Sequence, residues 1–98
     1  MLDVFTFDLE IASRDVNEAK IVYSYCRYLV EQAWKKHNLF VDQDPRLFNP
    51  KCPPERVDVY RDKLSTLALA AKSREMDARE AYQKLDAAKA ILLSLLED

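Results

Sequence analysis

The sequence predicts an all-α fold: two long antiparallel helices, a helical hairpin, joined by a proline-rich loop. Three observations carry that expectation. The chain has Gly 0, so no Gly-bearing turn is available to close a β-hairpin. Apolar residues recur at steps of three and four along almost all of it. All its prolines, Pro45, Pro50, Pro53 and Pro54, fall in one short segment, which confines the helix breakers to the middle.

The first helix is expected over about residues 3–37. Leu2, Phe5, Leu9, Ala12, Val16, Ala19, Tyr23, Cys26, Val30 and Ala33 form a coiled-coil-like seam with a 3.5-residue period. A polar stripe from Asp3 through Glu10, Asn17 and Ser24 to Glu31 keeps the same period on another face. Residues 5–11 also alternate like a half-buried strand, but a strand there would break both stripes and find no partner strand. A second apolar row, Val4, Phe7, Ile11, Val22, Tyr25 and Leu29, makes the face wider than a two-stranded seam requires. Tyr23, Tyr25 and Tyr28, with Trp34, read as core and core-rim aromatics whose polar tips stay wet.

Residues 38–53 are expected as the loop. It is long for a connection inside a small domain, and too apolar for a disordered one. Leu39, Phe40, Val41, Leu47 and Phe48 are expected to plug the end of the helical pair or, failing that, to form an exposed binding patch. Cations gather around it: Lys35, Lys36, Arg46, Lys51, Arg56, Arg61 and Lys63. An antiparallel pair puts them all at one tip.

The second helix is expected over about residues 54–96. Pro53 and Pro54 suit a helix opening, where a missing N–H costs little. Val57, Tyr60, Leu64, Leu67, Ala71, Ala78, Ala81, Leu85, Ala88, Leu92 and Leu95 line its seam, broken only by Arg74. The alanines invite close approach of the first helix. Arg74 should either snorkel to the surface or pair with a carboxylate such as Asp15 or Glu18. The end of this helix is apolar on nearly every side and needs more cover than one neighbour provides. Self-association is therefore expected through Leu85, Ala88, Ile91, Leu92, Leu95 and Leu96, with two hairpins forming a four-helix bundle as a homodimer.

Composition limits the functional classes. The 98 residues make one small domain, 1–98, and at 49% hydrophobic and 33% charged they fold rather than stay disordered. Lacking glycine, the chain has no phosphate-binding loop and no dinucleotide fingerprint. The net charge of −2 does not favour nucleic acid. Cys26 and Cys52 make neither a CxxC motif nor a disulfide framework, as expected of reduced thiols in a cytoplasmic protein. Met1-Leu2-Asp3-Val4 lacks the basic start of a secretory leader. No run of about 18 apolar residues is present, so no membrane contact is expected.

His37 is the only histidine, and no Ser/His/Asp or Cys/His spacing stands out. The set His37, Cys52, Asp42 and Asp44 matches no zinc pattern. No enzyme, cofactor or metal is therefore expected. The expected function is protein recognition, as an adaptor, assembly factor, or inhibitor or regulator of a larger protein. Leu39, Phe40, Arg46, Leu47, Phe48 and Lys51 are the expected contact residues. Two alternatives stand beside it: nucleic-acid binding through the basic tip, and a purely architectural self-assembling role.

Overall fold

The computed structural model describes residues 4–97. It contains helix α1 (Val4–Val41), a short helix α2 (Pro45–Phe48) and helix α3 (Pro54–Glu97). No strand occurs among the described residues, and residues 5–11 lie within α1. The hairpin is a thin rod, 78 × 16 × 14 Å, with a radius of gyration of 22.2 Å. A compact domain of about 100 residues would have a radius near 13 Å.

The helix limits correct two expectations. Helix α1 continues past residue 37 to Val41, because Phe40 takes the next seam position after His37 and packs on α3. The Pro45 ring constrains only the residue just before it. Residue 3 lies outside the described residues. The loop is accordingly shorter than 38–53 and holds a helical turn, α2, where an irregular connection was expected.

The seam forms as the period predicts. Ala12 and Val16 of α1, and Tyr60, Ala71, Ala81 and Leu85 of α3, are buried along it. Ala71 has 0% of its surface exposed. A methyl group at that position lets the helices approach closely, and among the described residues no large side chain is fully enclosed between them. The hairpin therefore has a narrow line of contact in place of a thick core.

Three cross-contacts set the register. Tyr23 meets Tyr82 edge to face, with centroids 5.4 Å apart. Trp34 Nε1 donates to Glu75 Oε1 at 2.7 Å. Phe40 stacks on Tyr60 at 5.0 Å. This register decides between the two expectations for Arg74. It lies beside Leu29, Gln32 and Lys36, far along the rod from Asp15 and Glu18. Arg74 remains exposed, and its ion pair is with Asp77 one turn on, at 3.8 Å.

Each helix covers one side of the other and leaves the rest open. Phe7, Ile11, Val22 and Tyr25 of the second α1 row are exposed. At the far end Leu85 is buried inside the hairpin, and Ala88, Leu92 and Leu95 are half-buried in the same seam. Ile91, Leu93 and Leu96 face outward.

Candidate functional site

The tip of the hairpin carries most of the expected contact residues, and its geometry follows from local capping. Helix α1 tightens in its last turn, where Gln43 N donates to Phe40 O at 2.9 Å. Asp44 then caps α2: its carboxylate accepts from Arg46 N at 2.9 Å, and Pro45 occupies the first helical position. The cap is reinforced from the side chain. Arg46 Nη2 donates to Asp44 Oδ2 at 2.6 Å, and Nε donates to Oδ1 at 3.0 Å. These hydrogen bonds hold the Asp44 carboxyl below the usual aspartate range, the side-chain bonds from Arg46 contributing most. The same pairing raises the Arg46 guanidinium pKa.

The exit from α2 is equally local. Asn49 N donates to Pro45 O at 3.0 Å, and Lys51 N donates to Asn49 Oδ1 at 3.1 Å in an Asx-type turn. Arg56 N donates to Pro53 O at 3.1 Å and starts α3.

The six expected contact residues do not form one surface. Phe40 belongs to the packing: it lies on α1, half-buried, stacked on Tyr60, with Lys63 Nζ 5.9 Å from its ring centre. Leu47 and Phe48 point into solvent, 68% and 79% exposed. They close no part of the hairpin, so the plug is Phe40 alone. Leu39 is also exposed but faces a different groove, with Trp34, Lys35 and Asp42. Arg46 is engaged by Asp44, whereas the Lys51 side chain is exposed at the turn.

Sequence reasoning missed the anchor beneath the tip. Tyr60 is buried, and its hydroxyl donates to Val41 O at 2.9 Å. Burial raises the Tyr60 phenol pKa, with Asp44 nearby adding to the effect. The aromatic at that seam position was the available signal, but its partner depends on the register. A second groove, about 540 Å³, opens further along between Tyr23, Arg27, Glu75 and Tyr82. Arg27 lies 5.9 Å above the Tyr23 ring there.

His37 contacts the Trp34 ring edge on, and its Nδ1 lies 3.1 Å from Asn38 Oδ1. Among the described residues, no three His, Cys, Asp or Glu side chains converge on a metal-sized site. No described helix is long and apolar enough to cross a membrane. No family model matches the chain, and neither a curated protein nor a solved structure matches it.

Proposed function

We propose that this chain is a non-enzymatic protein-recognition module: an adaptor, an assembly factor, or a small inhibitor or regulator of a larger protein. The observation that carries the reading is the exposed pair Leu47 and Phe48 on a turn that Asp44 and Arg46 hold in shape. Apolar side chains on a pre-shaped turn lose little further freedom when a partner covers them. Lys51 on the same turn gives the patch a cationic neighbour suited to an acidic partner surface. The free thiols of Cys26 and Cys52 suit a reducing compartment such as the cytoplasm.

The test is affinity capture with the intact chain and with a Leu47→Ser, Phe48→Ser double variant of unchanged helicity. A stoichiometric protein retained by the first and lost by the second is the expected result. Equal retention by both moves the contact away from the tip. Retardation of a DNA or RNA duplex that weakens steeply with salt favours the nucleic-acid alternative, for which Arg56, Arg61 and Lys63 are among the exposed cations.

A further inference from the structure

One row of α1 lies on the flank of the seam and is complementary to itself about its middle. It steps by four and three from Ile11 to Leu39 and is centred on Tyr25. Ile11 and Leu39 are its apolar ends, both exposed. Asp15 and Lys36 stand next inward, with opposite charges. Glu18 and Gln32 follow, both polar. Val22 and Leu29 flank the centre, and Tyr25 itself is 61% exposed. Asp15, Glu18 and Lys36 have no ion-pair partner among the described residues.

We infer that this face receives a second copy of the chain, packed antiparallel, α1 against α1, about a two-fold axis at Tyr25. The inference takes the interaction reading above one step further and rests on it. A two-fold axis perpendicular to a helix brings together residues equally distant from the axis. Ile11 then meets Leu39 and Glu18 meets Gln32 at equal distances, and Asp15 meets Lys36 and Val22 meets Leu29 to within one residue, each pair occurring twice. Apolar residues fill the centre and both ends, and the opposite charges of Asp15 and Lys36 lie between them. A parallel pairing would set Asp15 against Asp15 and Lys36 against Lys36.

The contact from Ile11 to Leu39 is about 42 Å long at the helical rise. Beside this row α3 presents Ala70, Arg74 and a half-buried Leu67, so the exposed apolar side chains there belong to α1. The arrangement places the two Leu47–Phe48 tips at opposite ends of the bundle, on the order of 70 Å apart by the same rise. The dimer is a connector with a recognition tip at each end.

The test is molar mass by sedimentation and light scattering over a concentration series, with helicity followed alongside. The 11.4 kDa chain is expected at twice that mass. Val22→Glu with Tyr25→Glu is expected to give a monomer of unchanged helicity, since both side chains are exposed in the single hairpin. Asp15→Lys and Lys36→Glu should each raise the dimer Kd about tenfold, and combining them in one chain should restore it. That restoration is specific to the antiparallel pairing. A monomer at every concentration overturns the inference while leaving recognition of a foreign partner to the affinity capture. A dimer indifferent to the charge exchange, or one dissolved by Ile91→Ser with Leu96→Ser, assigns the interface to the end of α3 and overturns it too.

Discussion

Tyr60 reaches across the hairpin to bond the carbonyl of Val41, the last residue of α1. The last carbonyls of a helix have no partner within it, so one orphan acceptor is satisfied by a side chain from the other helix. The same ring stacks on Phe40. One residue therefore ends α1, anchors α3 and fixes the geometry of the tip.

Tyr60→Phe removes that bond and keeps the ring. The expected loss is about 1 kcal/mol, a fall in Tm of about 4–8 °C for a domain of this size. Phe40→Ala should cost more, because it removes the whole stacked ring. Urea unfolding followed by circular dichroism checks both, and an unchanged midpoint for Phe40→Ala would refute its role as the plug.

Ala71→Leu tests the narrow seam. Forcing a larger side chain into a site with 0% exposure is expected to cost about 1–3 kcal/mol. Leu69→Ala, on the outer face at 66% exposure, should stay within about 0.5 kcal/mol of the parent. Similar effects from the two would mean that the helices do not meet closely at Ala71.

Asp44 should titrate with a midpoint below the ordinary aspartate range, since Arg46 hydrogen-bonds its ionised form. A lowered folded-state pKa gives stability that is fully present above the ordinary value and is lost as pH falls through the folded one. The Arg46 amide signal in NMR should therefore move at acid pH with the Asp44 midpoint, and Asp44→Asn should abolish the coupled shift. An ordinary midpoint would show that the pair does not persist in solution.

Leu47→Ser with Phe48→Ser is expected to leave stability within about 0.5 kcal/mol of the parent for each change, because both side chains face solvent. A marked loss of thermal stability would show that these residues support the fold and do not serve recognition.

The residues of the seam were legible in the sequence because helical periodicity is local. Ala12, Val16, Ala71, Ala81 and Leu85 needed no knowledge of the partner helix to be identified. The capped turn was only partly legible. Four prolines announced a break, but α2 inside it depends on the Asp44 and Arg46 pairing. Phe40 shows the limit of composition: proximity to the prolines marked it as loop, whereas the α1 period carries it onto Tyr60.

By itself the sequence determined two helices, the faces they bury, the position of the break and the surplus of apolar surface. Only the tertiary structure decided the register, and with it what every off-seam residue meets. On a seam that repeats every seven residues, sliding one helix by a heptad preserves nearly all the apolar matches, so the pattern cannot choose among alignments. The choice falls to contacts that do not repeat, namely Tyr60 with Val41, Trp34 with Glu75 and Tyr23 with Tyr82. They set Arg74 beside Lys36 and away from Asp15, and leave Leu47 and Phe48 in solvent, because the hairpin closes on Phe40 before the chain reaches them.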